Sequence, residues 1–156
     1  MLATLPPLMC IGAAMVGGVF FAFSTFVMKA LAQLPVSQGV EAMQRINVVV
    51  LNPLFLGVFV GTAVLAMICV VAGFFPWGTP RSALLFGAGL FYLLGSFGVT
   101  AAFNVPRNER LARLDSASEA ATSYWPIYVT EWLRWNHVRT AASLASAACA
   151  GAAPAF

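Results

Sequence analysis

The chain has 156 residues, of which 61% are hydrophobic and only 8% are charged. A soluble domain usually carries about a quarter of its residues as charged side chains, so this composition excludes an ordinary soluble protein and indicates an integral membrane protein. The net charge of +3 fits orientation in a bilayer better than a phosphate-binding track, and we expect no nucleic-acid partner.

Three uncharged apolar stretches are long enough to cross a hydrocarbon layer about 30 Å thick, which takes roughly 20 helical residues. They are residues 5–28, 52–75 and 82–103. A fourth crossing is predicted over 137–156, which is dominated by Ala, Ser and Gly and therefore enters lipid less favourably. We expect close packing against neighbouring helices to hold it. The sequence predicts a single all-α transmembrane domain, a four-helix bundle with short interfacial helices in the first and third connections.

The charged residues predict the orientation of this bundle. If the crossings alternate in direction, all basic residues except Arg81 and every acidic residue fall on one side. The positive-inside rule places that polar end in the cytoplasm and both termini outside, as in a multi-pass protein of the cell membrane. The lipid bilayer is the expected partner, and the formation of a homo-oligomer is left open.

One helical stripe at the polar end carries an unusual set of side chains. At about 100° per residue, an ideal helix over 125–139 aligns six of them, which are Trp125, Tyr128, Trp132, Trp135, Asn136 and Arg139. His137 falls off this stripe. An arginine at the mouth of a bundle normally faces protein or a wet pocket, and aromatic walls with converging polar groups suit a flat aromatic ligand. Trp and Tyr also serve as anchors at a membrane surface, so that alternative stays open.

Three asparagines near the polar end are further candidates. Asn52 precedes Pro53, a pair typical of a helix start. Asn104 and Asn108 flank Pro106, where we expect the helix to break or kink because proline lacks a backbone donor. Such amides either satisfy freed backbone groups or face a cavity, and the sequence favours neither role.

Five segments together resemble the anthrone-oxygenase-like family of small four-helix membrane proteins. They are residues 20–28, 42–47, 52–53, 104–108 and 132–140, and the last is the most specific. The resemblance covers nearly the whole chain. It implies that the protein oxidises an aromatic anthrone-type substrate with O₂, without a cofactor, at a site formed by the first and third connections.

The resemblance also implies roles for the candidate residues. Trp132, Trp135 and Tyr128 would contact the substrate ring. Asn136 and Arg139 would stabilise its anionic oxygen, and the secondary polar contacts would be Asn52, Asn104 and Asn108. The base would be His137, with Glu109 and Glu131 as alternatives.

Other classes of function remain as alternatives. A single histidine and five scattered acids do not predict a metal site, which usually needs two or three converging ligands. We therefore expect no metal, although His137 with Glu109 and an amide is the combination to test. A non-catalytic membrane protein that binds small molecules is a second alternative. An assembly subunit is a third, because Gly57 and Gly61 form a GxxxG motif that is common at helix interfaces.

Overall fold

The computed structural model describes residues 4–75 and 77–156, and within these residues it contains helices and no strands. Five helices follow one another along the chain. They are α1 (Leu5–Ala32), α2 (Val36–Val49), α3 (Pro53–Phe74), α4 (Pro80–Ala112) and α5 (Glu119–Ala152). The prediction of an all-α membrane protein is confirmed, since α1, α3 and α4 are long and apolar enough to cross a membrane. The fourth crossing, in α5, stays a prediction.

Local sequence signals explain where the helices begin. Asn52 caps α3, because its side-chain oxygen accepts a hydrogen bond of 3.0 Å from the Phe55 N–H and Pro53 occupies the first turn. Thr79 caps α4 through a reciprocal pair of hydrogen bonds with Ser82. Ser118 caps α5 with a single hydrogen bond, which its hydroxyl oxygen accepts from the Ala121 N–H. Each cap satisfies backbone donors that the first helical turn leaves free.

The helix continues through Pro106, so of the expected break or kink the break does not occur. Two π-helical segments, Phe91–Gly98 and Thr100–Asn104, come before it, and α-helical geometry resumes over Val105–Ala112. Proline removes one backbone donor and crowds the preceding turn, and the wider π turn accommodates both effects within a continuous helix. The third connection therefore consists of residues 113–118 between two extended helices, whereas the first connection contains α2 as a separate short helix.

The helices pack in two main pairs, α1 against α5 and α3 against the first half of α4. The second pair is close because glycines let the backbones approach. A Cβ atom at Gly89 would collide with the Ala66 carbonyl oxygen, and one at Gly73 would collide with the backbone of Ser82 and Phe86. By contrast, a Cβ at Gly57 or Gly61 would meet no atom of the described chain within 4 Å. The GxxxG motif therefore faces away from the bundle.

Helices α3 and α4 separate toward the polar end. Helix α3 packs mainly against residues 80–98 of α4, while residues 100–112 pack against α5 and α2. Below the separation, Phe59 of α3 stacks on Phe97 of α4 with ring centroids 5.3 Å apart. Helix α2 covers part of the same region by packing on α5. The result is a space at the polar end that all five helices border.

Candidate functional site

A cavity of about 530 Å³ fills the space between the separated helices. Its walls are mostly apolar and include six aromatic side chains, which are Phe20, Phe23, Phe55, Phe59, Phe97 and Trp132. Six polar side chains also line it, which are Gln44, Asn47, Thr100, Asn108, Glu109 and Arg139. Its size lies within the range of about 300–1,000 Å³ that small-molecule sites usually have.

Arg139 is the most unusual residue of this cavity. Its side chain is only 5% exposed, and its guanidinium donates to Asn136 Oδ1 at 2.7 Å and to Thr100 Oγ1 at 3.2 Å. The guanidinium carbon lies 4.1 Å from the centre of the Phe20 ring. Among the described residues, no carboxylate forms an ion pair with Arg139, and its buried Nε has no hydrogen-bond partner. The cavity therefore contains a buried positive charge that lacks a counter-ion from the described chain.

Asn136 holds this guanidinium in place. It is fully buried, and its Nδ2 donates to the Phe20 carbonyl oxygen and to Ser24 Oγ, each at 2.8 Å. These two bonds fix the side-chain oxygen toward Arg139. Because Asn136 does not line the cavity, it acts on a ligand only through the arginine that it positions.

Asn108 also lines the cavity and has an unpaired hydrogen-bond donor. Its Oδ1 accepts from Trp132 Nε1 and from the Tyr128 hydroxyl, each at 2.8 Å. An indole N–H can only donate, so the oxygen of the amide must face Trp132 and the NH₂ group must face elsewhere. That NH₂ group makes no hydrogen bond to the part of the chain that the structure describes. Asn108 therefore has a free donor on the cavity wall.

Tyr128 supports Asn108 from behind. Burial raises the pKa of Tyr128 well above its ordinary value, so its hydroxyl stays protonated and continues to donate at neutral pH. The ring is fully buried and stacks between Trp125 and Trp132. Tyr128 does not line the cavity. Its hydroxyl helps to orient the Asn108 amide and does not contact a ligand in the cavity.

The two predicted tryptophan contacts differ in their surroundings. Trp132 lines the cavity, and its ring centre lies 5.0 Å from the Arg139 guanidinium. This one indole therefore contacts both Arg139 and Asn108. Trp135 instead stacks on Phe103, with ring centroids 3.6 Å apart and planes at 7°. Trp135 is absent from the cavity lining.

The other predicted asparagines have partners in the protein. Asn52 is the exposed cap of α3 and borders a smaller groove of about 220 Å³ beside the cavity. Asn104 is buried, and its Nδ2 donates to the Trp132 carbonyl oxygen at 3.2 Å. Its Oδ1 is buried without a partner among the described residues. Neither side chain lines the cavity.

The candidate bases are also in different places. His137 is exposed on α5 and does not line the cavity. Glu131 forms a 2.9 Å ion pair with Arg107 at the surface. Glu109 is exposed and borders the cavity. Of the three candidate bases, Glu109 is therefore the one that borders the cavity.

Sequence reasoning did not single out several residues of the wall. Thr100 and Gln44 are polar and line the cavity, but nothing in their local sequence distinguishes them from other helical residues. The Gln44 NH₂ group donates hydrogen bonds of 2.9 Å to the carbonyl oxygens of Leu111 and Leu114. The side-chain oxygen of Gln44 stays available as an acceptor. Asn47 also lines the cavity, and its buried Nδ2 has no hydrogen-bond partner among the described residues.

The described residues contain no group of three or more His, Cys, Asp or Glu side chains arranged to hold a metal ion. The polar groups of the cavity are instead amides, one hydroxyl, one carboxylate and one guanidinium. This set suits an organic anion better than a cation.

Comparison with known proteins identifies the family. The family model described as anthrone oxygenase matches residues 53–149, which is more than half of the chain and includes Asn108, Trp132 and Arg139. No curated protein and no solved structure matches the chain. The resemblance seen in the sequence is thus confirmed, and the chain belongs to the anthrone oxygenase family.

Proposed function

We propose that the protein is a membrane-embedded oxygenase that oxidises a flat, anthrone-type aromatic substrate with O₂, without a cofactor, in the cavity at the polar end. The observation that carries the proposal is the buried Arg139 on a mostly apolar wall that includes six aromatic side chains, without a carboxylate partner among the described residues. Buried charges are normally paired. An anionic substrate oxygen is the partner that this site is suited to receive.

The chemistry of an anthrone needs little from the protein. Removal of one proton from its CH₂ carbon gives an enolate, which is electron-rich enough to give one electron to O₂. The carbon radical and superoxide combine, and one proton completes a hydroperoxide at that carbon. Loss of the second C–H proton then breaks the O–O bond, and hydroxide leaves with the electron pair. One anthrone and one O₂ give one anthraquinone and one water.

The protein's contribution is to favour the enolate. Arg139 and Asn108 both line the cavity, and each contacts Trp132. The guanidinium and the unpaired NH₂ group of Asn108 would donate to the enolate oxygen. Donors fixed in advance around a developing oxyanion act strongly because they need no reorganisation during the reaction. Trp132 and the phenylalanines of the wall would hold the ring.

For the base, we propose Glu109 rather than His137. A general base must come within hydrogen-bond reach of the proton that it removes. Glu109 borders the cavity, whereas His137 is exposed on a part of α5 outside its lining. A catalytic role of His137 is a separate hypothesis, which a comparison of Glu109→Gln with His137→Gln tests.

The experiment is O₂ uptake by the purified protein in nanodiscs on addition of anthrone. Wild type should consume one O₂ for each anthraquinone formed, faster than empty nanodiscs do. Trp132→Leu should reduce kcat/KM, while Trp135→Leu is the matched control on the same helix and should change it little. An uptake rate equal to that of empty nanodiscs would exclude the oxygenase.

The cofactor-free part of the proposal has its own test. Metal analysis of active protein should find no stoichiometric iron or copper, and EDTA should leave the rate unchanged. Stoichiometric metal together with loss of activity in EDTA would contradict this part and direct attention to His137 and Glu109.

One observation favours a second candidate, a membrane protein that binds aromatic anions without transforming them. Among the described residues of the cavity, the single carboxylate is Glu109, and it is exposed to solvent rather than buried. Saturable binding of an aromatic anion without any O₂ uptake would favour this candidate over the oxygenase.

The proposal includes the orientation in the membrane, with the polar end in the cytoplasm and both termini outside. At about 1.5 Å per residue, the 34 residues of α5 span about 51 Å, which exceeds the hydrocarbon thickness of about 30 Å. The N-terminal part of α5 therefore has length to extend beyond the bilayer. Labelling of an introduced Ser116→Cys by an impermeant maleimide only after the cells are opened would support this orientation.

A further inference from the structure

We infer that the cavity takes its ligand from the bilayer, through a lateral opening between α3 and α4. This inference rests on the proposed function in one respect, that the cavity binds an aromatic anion. The two helices pack closely along residues 80–98 of α4 and separate beside residues 100–112. The cavity lies in that separation, with residues of both helices on its walls.

The rim of this opening is apolar and exposed. Leu51, Val60 and Val105 border the cavity, and 62%, 46% and 39% of their surfaces are exposed. Ala101 is exposed on the same rim. In water, such a rim would be an unfavourable apolar patch around an open cavity. Against lipid tails, the same side chains are in a favourable apolar environment. The opening therefore suits a lipid-facing position.

The residues that would bind the ligand are more deeply buried than this rim. They are Trp132 and Arg139 of α5 and Phe20 of α1, and each is at most 5% exposed. A ligand passing between α3 and α4 thus meets apolar side chains first and the guanidinium at the back.

This arrangement narrows the class of substrate. A lipophilic aromatic molecule that enters uncharged, and becomes anionic only beside Arg139, passes an apolar rim without difficulty. A molecule with a permanent second charge does not, because a charged group in the hydrocarbon region is strongly disfavoured. The site is thus suited to neutral, membrane-dissolved precursors with one ionisable position.

The test measures binding kinetics of 9-methylanthracene, a planar aromatic molecule that is uncharged, as the entering ligand is inferred to be, and has no ring CH₂ group to oxidise. Stopped-flow quenching of tryptophan fluorescence in nanodiscs gives its association and dissociation rates. We compare Val60→Trp, at the rim, with Val64→Trp, which lies one turn further along the exposed face of α3 and outside the cavity lining. Ala112→Trp adds a side chain at an exposed lining residue beyond Glu109, at the end of α4.

If the ligand enters between α3 and α4, Val60→Trp should slow association and dissociation together by more than tenfold and leave Kd within threefold of wild type. Val64→Trp and Ala112→Trp should leave both rates within twofold. A narrower passage slows movement in both directions equally, whereas a damaged binding site mainly changes dissociation.

Several results would overturn the inference. They are unchanged rates in Val60→Trp, a change confined to its dissociation rate, slowing by Ala112→Trp instead, or no saturable binding to wild type. The probe cannot be oxidised, so these outcomes are independent of catalysis. Failure of wild type to oxidise anthrone, with the expected kinetics of the probe, would refute the oxygenase and leave the lateral entry intact.

Discussion

Replacement of Arg139 by Met separates a binding role of this residue from a structural one. Methionine is similar in length and flexible, so it can occupy the space of the arginine side chain without its charge. The variant removes the donors to Asn136 and Thr100 and the contact with the Phe20 ring. It also removes a buried charge that no carboxylate of the described chain neutralises.

The two roles predict different magnitudes. A hydrogen bond to a charged group contributes about 1.5–3 kcal/mol, so the affinity for an aromatic anion should fall by about 10- to 150-fold at 1.4 kcal/mol per factor of ten. For stability, losing the ring contact costs about 0.5–2 kcal/mol, and leaving Asn136 Oδ1 unpaired costs about 1–3 kcal/mol. Removing an unpaired buried charge returns several kcal/mol. The opposing contributions nearly cancel, and the free energy of unfolding should change by less than about 2 kcal/mol.

The assay uses two ligands of the same shape. Quenching of tryptophan fluorescence measures the Kd of anthracene-9-carboxylate and of neutral 9-methylanthracene, and thermal unfolding in the same detergent measures stability. Arg139→Met should lose affinity for the carboxylate and keep its affinity for the methyl compound. Arg139→Lys retains the charge but not the planar fork, and should fall between wild type and Arg139→Met.

Two results would refute this reasoning. Equal losses for both ligands would mean that the substitution damages the cavity rather than an anion site. An unchanged Kd for the carboxylate in a folded variant would mean that Arg139 does not meet the ligand at all.

Three further predictions address other parts of the site and fold. Asn108→Asp keeps an acceptor for Trp132 but replaces the unpaired NH₂ group with a carboxylate oxygen, so kcat for anthrone should fall by about 10²–10³. A wild-type kcat would contradict the proposed donor. Glu109→Gln should lower kcat by at least about 10², and His137→Gln should leave kcat within twofold of wild type. A large loss of kcat in His137→Gln, with little change in Glu109→Gln, would assign the base to His137. Gly89→Ala should destabilise the fold by about 1–3 kcal/mol in thermal unfolding, because its Cβ would collide with α3, and retained stability would show that α3 and α4 can move apart.

The fold was largely predictable because its signals are local. Long uncharged stretches predict the apolar helices α1, α3 and α4, and residue pairs such as Asn52 and Pro53 predict where a helix begins. Pro106 shows the limit of such signals. Its missing donor was visible in the sequence, but whether the helix ends or widens into a π turn depends on the neighbouring helices that hold both sides of α4.

The site was predictable only in part. A helical stripe shows which side chains share one face of a helix, but not which residues of other helices pack against that face. Trp132, Trp135 and Arg139 share a stripe on α5, but Phe103 of α4 covers Trp135 and leaves the other two on the cavity wall. The orientation of the Asn108 amide depends on Trp132 and Tyr128, which are 24 and 20 positions away in the sequence. No local pattern contains this information.

The same hydrogen bonds that join α1 to α5 also aim the charge of the site. Asn136 ties α5 to the Phe20 carbonyl and to Ser24, and its remaining oxygen holds Arg139. An asparagine with both ends engaged has one orientation, so the guanidinium is held toward the cavity before any ligand arrives. Pre-organisation of this kind lowers the free energy of binding an anion, because the protein has already desolvated and oriented the charge during folding. The unpaired charge of Arg139 destabilises the empty protein, and an anionic ligand would offset this cost. We therefore expect binding of an anion to raise the free energy of unfolding of the bundle.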